Sequence, residues 1–130
     1  MKKINFTDTA VRYIVDDVDE AINFYRDIVG FNLEFDSKKG FAILTLGSLK
    51  LYINQPGAGG AGQAMPDGEM PGPGGWNRIL LEVKDLQAEI QQLKALNAKF
   101  RNNLVEGVGG NQILLQDPSG NLIELFERKQ

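Results

Sequence analysis

Cysteine and histidine, two of the residue types that build most metal and redox sites, are both absent from this chain of 130 residues. Without cysteine, the protein has neither disulfides nor thiolates for catalysis or metal binding. Without histidine, it lacks the commonest general base and the commonest ligand of transition metals. We therefore expect no transition metal and no cofactor, since only carboxylate, amide and hydroxyl oxygens remain as ligands.

The chain also lacks an excess of positive charge and any long apolar run. Its 14 basic and 17 acidic residues give a net charge of −3, so no positive field attracts nucleic acid. No apolar run approaches the roughly 20 residues that a membrane-spanning helix needs. The basic start is not followed by the apolar stretch of a signal peptide. We expect a cytoplasmic protein that binds neither nucleic acid nor membrane.

Two parts of the chain, about 8–53 and 78–127, show the same order of predicted elements: one strand, one helix and three further strands. Residues 15–18 align with residues 83–86, and residues 47–51 align with residues 120–124. Such self-similarity indicates a duplicated βαβββ unit within a single domain of residues 1–130.

Each half has one helix, which covers only one face of its sheet. The other, concave face must be closed by the second half or by a second subunit, because open edges and exposed apolar surface are liabilities. We therefore predict an α+β fold in which two βαβββ modules curl into a partly open barrel, and we expect a homodimer.

Residues 54–77 differ in composition from both halves, with eight glycines and four prolines among 24 residues. Such a segment is not expected to form a packed element. It is interpreted either as a flexible linker between the halves or as a mobile loop over a binding site, and the two interpretations are compatible.

The turn at residues 117–121, Asp-Pro-Ser-Gly-Asn, feeds the last strand and has the residue order that a tight turn prefers. Together with Val-Asp-Asp-Val-Asp at 15–19, Phe-Tyr at 24–25 and Val-Gly-Phe at 29–31, it resembles the vicinal oxygen chelate superfamily. That superfamily includes glyoxalase I, extradiol dioxygenases, fosfomycin-resistance enzymes and bleomycin-resistance proteins. The resemblance covers residues 10–126 and implies the fold, but not the reaction.

In metal-dependent members of this superfamily, each half supplies a His from its first strand and a Glu from its last strand. The resemblance places Ala10 and Arg78 at the His positions, and Leu51 and Glu124 at the Glu positions. Alanine and leucine offer no donor atom, and a guanidinium stays protonated. We therefore expect no metal at this site.

Strand alternation places four charged side chains, Arg12, Arg78, Glu82 and Glu124, on the concave face, where two Arg and two Glu would share one enclosure. Glu124 is interpreted as an internal partner of an Arg, as a pair with Arg78 that orients a ligand, or as a general base with a pKa raised by an apolar cavity. It is the only catalytic candidate. Trp76 is interpreted as a plug of the core, with an aromatic wall for the ligand as the alternative.

Two functions then compete: a module that binds a small organic molecule without a transition metal, and a divergent glyoxalase-like lyase, isomerase or dioxygenase. The altered ligand positions favour the binding module. If Glu82 and Glu124 occupy both Arg12 and Arg78, a neutral or aromatic ligand fits best. An unpaired guanidinium instead predicts a carboxylate or phosphate ligand. Residues 54–77 are predicted to close over that ligand.

Overall fold

Two sheets of the same strand order make up the protein in a computed structural model, which describes residues 3–130. The first sheet has the order β1-β4-β3-β2, and the second has the order β5-β9-β8-β6 with β7 paired to β8. The elements of the first half are β1 (Val11–Ile14), α1 (Val18–Asn23), β2 (Asn32–Asp36), β3 (Phe41–Leu46) and β4 (Leu49–Asn54). Those of the second half are β5 (Arg78–Glu82), α2 (Leu86–Ala95), β6 (Lys99–Phe100), β7 (Val105–Glu106), β8 (Gly110–Gln116) and β9 (Leu122–Arg128).

The repeated strand order confirms the predicted α+β fold of duplicated βαβββ modules. Within residues 3–130 the two sheets are separate hydrogen-bonded ladders, so the barrel is partly open. The helices cover the sheet faces opposite the concave ones with apolar side chains, including Val18 and Ile22 from α1 and Ile90 and Leu93 from α2. No helix in the described part of the chain is both long and apolar enough to cross a membrane.

Both helices begin after an aspartate, a residue type that favours the start of a helix. The Asp17 side chain accepts a hydrogen bond from Glu20 N at 3.0 Å, and the Asp85 side chain accepts one from Ala88 N at 3.1 Å. After α1 the chain continues as a π-helical segment, Phe24–Val29, which ends at Gly30 with φ of 109°. Glycine in this left-handed conformation commonly terminates a helix.

One strand of the second half is shorter than predicted. The sequence predicts a strand at residues 100–104, but β6 ends at Phe100 and a new short strand, β7, forms where a loop was expected. The Asn102 side chain accepts a hydrogen bond from Leu114 N at 2.9 Å. It thereby takes the place of a backbone acceptor on the neighbouring strand, so the chain leaves the sheet at this point.

The predicted turn at residues 117–121 is built around a buried carboxylate. Asp117 Oδ1 accepts hydrogen bonds from Ser119 N and Asn121 N, while Oδ2 accepts them from Tyr25 OH at 2.7 Å and Asn121 Nδ2 at 3.0 Å. Burial, and secondly the Asp117 carboxylate, raise the pKa of Tyr25 far above its usual value. The turn is therefore attached to the helical layer of the first half.

Further hydrogen bonds fix the edge of β1 against the second sheet. The Tyr13 hydroxyl donates to Leu122 O at 2.8 Å and accepts from Ile79 N at 2.9 Å. Asn121 Nδ2 donates to Ile14 O at 2.8 Å. These contacts bring strand β1 next to β5 and β9, and thus set the relative position of the two concave faces.

The Gly/Pro-rich segment is not uniform. Its first part, residues 55–62, is packed: Gln55 N donates to Gly40 O at 3.0 Å, the Gln55 side chain accepts from Val18 N at 3.1 Å, and Gly62 is buried. The expectation that nothing here packs is therefore wrong for 55–62. Positive φ at Gly57 and Gly59 permits this compact turn. Residues 63–70 are exposed.

Candidate functional site

On the concave face of the second sheet, an ion pair joins two of the predicted site residues. Leu80 on β5 is paired in register with Glu124 on β9, so Arg78 and Glu124 share a face. Arg78 Nε donates to Glu124 Oε1 at 2.9 Å. The Glu124 side chain is 8% exposed and the Arg78 side chain 30% exposed. The predicted contact between these two residues is present, whereas its role towards a ligand stays a prediction.

Trp76 lies beside this pair, but not as a plug of the core. Its backbone oxygen accepts a hydrogen bond from Arg78 Nη1 at 3.4 Å, and the residue is 63% exposed. The guanidinium carbon of Arg101 lies 4.1 Å from the centre of the indole ring, a distance typical of a cation–π contact. The interpretation of Trp76 as a plug is therefore wrong, because its ring is covered by a surface Arg rather than by core side chains.

The other predicted carboxylate, Glu82, has a different partner from the one expected. Arg128 Nη2 donates to Glu82 Oε1 at 2.8 Å, and this hydrogen bond lowers the pKa of Glu82. Arg128 lies two residues beyond Phe126, which is the register partner of Glu82, so the two side chains are diagonal neighbours on one face. The expected enclosure of two Arg and two Glu therefore does not form.

The counterpart of Glu124 in the first half is Tyr52 rather than Leu51. Arg12 is paired in register with Tyr52, as Leu80 is paired with Glu124, and the repeat superimposes Arg12 on Leu80. Leu51 lies on the opposite face, with no exposed surface. The expectation at Leu51 is therefore wrong by one residue.

Different turn lengths cause this error. Two residues separate the register pair Leu46–Leu49 in the first half, whereas five separate the pair Gln116–Leu122 in the second. An alignment on the turn glycines, Gly47 and Gly120, consequently displaces one strand against the other. A shift of one residue moves a side chain to the other face of a sheet.

The four positions that would hold a metal in this architecture do not fit one. They are occupied by the methyl group of Ala10, the phenol of Tyr52, the guanidinium of Arg78 and the carboxylate of Glu124, which Arg78 already engages. Transition-metal sites in proteins use imidazole and thiolate, and a guanidinium offers no lone pair. Within residues 3–130, no group of three or more Asp and Glu side chains is close enough to hold a metal ion.

The concave face of the first sheet carries an aromatic row that ends in a cation. The ring centres of Phe35 and Phe41 are 6.1 Å apart, and those of Phe41 and Tyr52 are 5.8 Å apart. The guanidinium carbon of Arg12 lies 5.3 Å from the Tyr52 ring centre. None of the ion pairs of residues 3–130 involves Arg12. Of the two predicted guanidinium groups, Arg78 is thus paired and Arg12 is not.

Several cavities adjoin these residues, among them a small one of about 170 Å³ whose lining includes Arg12 and Tyr52. A cavity of about 340 Å³, here called the Asn54 pocket, is lined by Arg12, Ser37, Lys39, Phe41, Asn54, Gly59 and Gly60. A larger groove of about 850 Å³, here called the edge groove, runs between β1 and β5 and is mostly apolar. Its lining includes Val11, Tyr13, Leu46, Leu49, Arg78 and Leu80. Neither Tyr52 nor Asn54 was predicted from the sequence, because the displaced hairpin register assigns both side chains to the opposite face of the sheet.

Comparison with known proteins places this geometry in a family. The family model described as "Glyoxalase/Bleomycin resistance protein/Dioxygenase superfamily" matches residues 5–125. The sequence matches none of the curated proteins with which it was compared.

Several solved structures share the fold at low sequence identity. Lactoylglutathione lyase from Agrobacterium tumefaciens is 20% identical, with a TM-score of 0.71 and coverage of 96% of either chain. A glyoxalase/bleomycin resistance protein/dioxygenase from Nocardioides is 17% identical, with a TM-score of 0.74 and coverage of 99% of this chain and 87% of that one. TioX from Micromonospora sp. ML1 is 19% identical, with a TM-score of 0.73 and coverage of 95% and 100%.

Proposed function

The chain belongs to the glyoxalase/bleomycin resistance protein/dioxygenase superfamily, and we propose that it binds a small organic molecule on its concave surface without a transition metal. The observation that carries this proposal is the ion pair between Arg78 and Glu124, with 2.9 Å between Nε and Oε1. A cation of the protein itself thus occupies a position at which metal-dependent members supply a ligand. The charge of Glu124 is balanced without a metal ion.

The surroundings of this pair suit molecular recognition. Trp76 and Arg101 form an exposed stack beside it, and an indole held flat by a guanidinium offers a rigid surface to a planar ligand. Trp and Arg are also the side chains that dominate the energetics of many binding surfaces. Arg78 retains exposed surface through which its remaining N–H groups reach a ligand.

The alternative, a divergent lyase, isomerase or dioxygenase, has less support. Such chemistry requires a metal or a poised general base. Glu124 is the only catalytic candidate, and its Oε1 is held by Arg78. That oxygen therefore already accepts a hydrogen bond from the protein itself.

We also propose that the protein is a homodimer that uses the edge groove. In this groove Leu80 is 52% exposed and Val11 is 37% exposed, and both residues belong to strands at a sheet edge. A second copy would cover these side chains and the unpaired strand edges together. The proposed compartment is the cytoplasm, which fractionation of cells that express the native chain tests.

The binding proposal is tested with protein dialysed against EDTA and screened by thermal shift against a metabolite library. Trp76 is the only tryptophan of the chain, so its fluorescence reports on this site alone. We expect at least one ligand that raises Tm, changes the Trp76 emission and binds equally well with and without chelator. Arg101→Gln should weaken binding, while Arg128→Gln, an Arg that pairs with Glu82, serves as the matched control.

Two results would contradict the proposal. The first is stoichiometric zinc, nickel or iron, in metal analysis of protein purified without added metal, that disappears in Glu124→Gln. The second is a library screen without any ligand that stabilises the protein.

A further inference from the structure

Two large apolar side chains lie exposed on the segment that precedes β1. Residues 4–7, here called the arm, belong to no helix or strand, and Ile4 is 88% exposed while Phe6 is 72% exposed. Neither side chain packs into the apolar core formed within residues 3–130. Asn5 between them is polar, so the two apolar side chains have the spacing that places them on one face of an extended chain. An extended segment with an apolar face is suited to bind in a groove beside a sheet edge.

The edge groove matches the arm in chemistry. Val11, Leu46 and Leu49 form its wall in the first sheet, and alternation and strand register place them on one face. Among the described residues that line the groove, Arg78 alone is charged, and it is already paired with Glu124. The arm carries no charged residue. An uncharged apolar segment can therefore bind there without leaving a charge buried and unpaired.

The groove also lies beside unpaired strand edges. Strands β1 and β5 each stand at the end of their sheet, so each leaves backbone N–H and C=O groups without a strand partner. The volume of about 850 Å³ is large enough for side chains of an inserted segment. An extended arm would thus find apolar contacts and backbone hydrogen-bond partners in the same place.

The arm of the same chain starts on the opposite face of the first sheet from the groove wall. Asp8, which follows the arm, forms an ion pair with Lys50 on β4. Lys50 directly follows Leu49, so these two side chains point to opposite faces of the sheet, and it is Leu49 that lines the groove. The chain also bends at Thr7, which turns the arm away from the direction of β1. These contacts favour the arm of a second copy as the occupant.

From these features we propose that the two protomers of the homodimer exchange their arms, so that Ile4 and Phe6 of one copy fill the edge groove of the other. The exchange is reciprocal, because a two-fold dimer uses the same surface patch on both copies. It covers Val11 and Leu80, which are 37% and 52% exposed in the single chain, together with the arm itself. This inference rests on the proposed homodimer and names the segment that makes its contact.

The absence of cysteine from the chain allows a spin label to be attached at one chosen position. Unlabelled Asn5→Cys protein that carries a nitroxide is mixed with 15N-labelled protein of unchanged sequence, and the subunits are left to exchange. We expect the nitroxide to broaden the amide resonances of Val11, Leu49 and Leu80 in the 15N-labelled copy. A nitroxide on Gln91→Cys, at an exposed position of α2, is the matched control and should leave those resonances unchanged.

Sedimentation over a range of protein concentrations measures what the arm contributes to the dimer. Because each arm would bury two large apolar side chains, Ile4→Lys/Phe6→Lys should weaken the dimer about a hundredfold or more. Asn5→Lys/Thr7→Lys adds the same charges at the polar positions of the arm, and its dimer should stay nearly as tight as that of the wild type. Far-UV circular dichroism should be unchanged in both variants, since the arm lies outside the helices and strands.

Three outcomes would overturn the inference while leaving a dimer through the edge groove possible. One is an unchanged dimer affinity in Ile4→Lys/Phe6→Lys. Another is broadening of the groove resonances only when nitroxide and 15N are on the same chain, which would place the arm in its own groove. The third is broadening across the dimer at residues outside the groove.

A different result would refute the proposed homodimer together with this inference. It is a wild-type protein that sediments as a monomer at millimolar concentration. Binding of a small molecule at the concave surface would be unaffected, because neither Ile4 nor Phe6 belongs to the residues proposed for that site.

Discussion

The ion pair between Arg78 and Glu124 allows a quantitative test of how the concave face is stabilised. The two side chains are unequally buried, with 30% of Arg78 and 8% of Glu124 exposed. In Arg78→Met the buried carboxylate loses its cation, which costs about 3 kcal/mol, the lower end for a broken buried pair because the Arg is partly solvated. In Glu124→Gln the remaining guanidinium still reaches water, so we expect a cost of about 1–2 kcal/mol. The double variant Arg78→Met/Glu124→Leu removes both charges and should lie close to the wild type.

Urea unfolding followed by far-UV circular dichroism measures these differences as shifts of the midpoint. Fluorescence is unsuitable here, because Trp76 contacts Arg78 and would report local changes. The exposed pair Arg128–Glu82, with side chains 68% and 48% exposed, is the matched control, and we expect little change when it is removed. If Arg78→Met were no more destabilising than Glu124→Gln, or if the double variant lost the sum of both single effects, the reasoning from unequal burial would be refuted.

Three further predictions concern the rest of the molecule. Because burial raises the pKa of Tyr25 above its ordinary value of 10.0, stability is retained below about pH 10. Above this pH the free energy of unfolding falls by about 1.4 kcal/mol per pH unit, because the Tyr25 phenol ionises in the unfolded chain. Urea unfolding between pH 9 and pH 11 should therefore show a smaller slope of the unfolding free energy against pH for Tyr25→Phe than for the wild type. Equal slopes would contradict this reasoning. Replacing residues 63–70 by a short Gly/Ser linker should leave Tm nearly unchanged and weaken ligand binding. Replacing residues 57–72 should weaken binding and, in addition, lower Tm, because residues 57–62 belong to the packed part of the segment. An equal Tm for both replacements would mean that this packing does not stabilise the fold. Sedimentation should show a dimer that dissociates in Leu80→Lys. The control Leu96→Lys changes a residue that is 48% exposed outside the edge groove, and its dimer should persist. A dimer that persists in both variants would exclude the edge groove as its interface.

Features that depend on a few neighbouring residues were predictable from the sequence. The helix starts at Asp17 and Asp85 and the left-handed helix end at Gly30 need only short-range hydrogen bonds and backbone preference. The duplication of the chain likewise follows from matching patterns, and with it the order of the elements. The contact of Arg78 with Glu124 followed from strand alternation combined with that repeat.

The predictions that were wrong concern features that depend on contacts between distant parts of the chain. Tyr52, rather than Leu51, occupies the position equivalent to Glu124, because turn length as well as the hydrophobic pattern sets the strand register. Trp76 lies at the surface, where its ring stacks with Arg101, 25 residues further along the chain, instead of packing in the core. Glu82 forms an ion pair with Arg128 because β5 and β9 are neighbours in parallel register. Each of these outcomes requires a pairing that no local window contains.

The amino-acid sequence by itself therefore determined the architecture and the residues at three of the four positions where metal-dependent members supply ligands, Ala10, Arg78 and Glu124, since both follow from residue identity and period. Only the tertiary structure decided that Arg78 pairs with a carboxylate and that Arg12, among residues 3–130, does not. It also brought Arg12, Lys39 and Asn54, which are far apart in the sequence, to the wall of one pocket. The physical reason is that charge pairing and burial are properties of side chains brought together across the sheet and under residues 55–62, and these contacts exist only once the chain has folded.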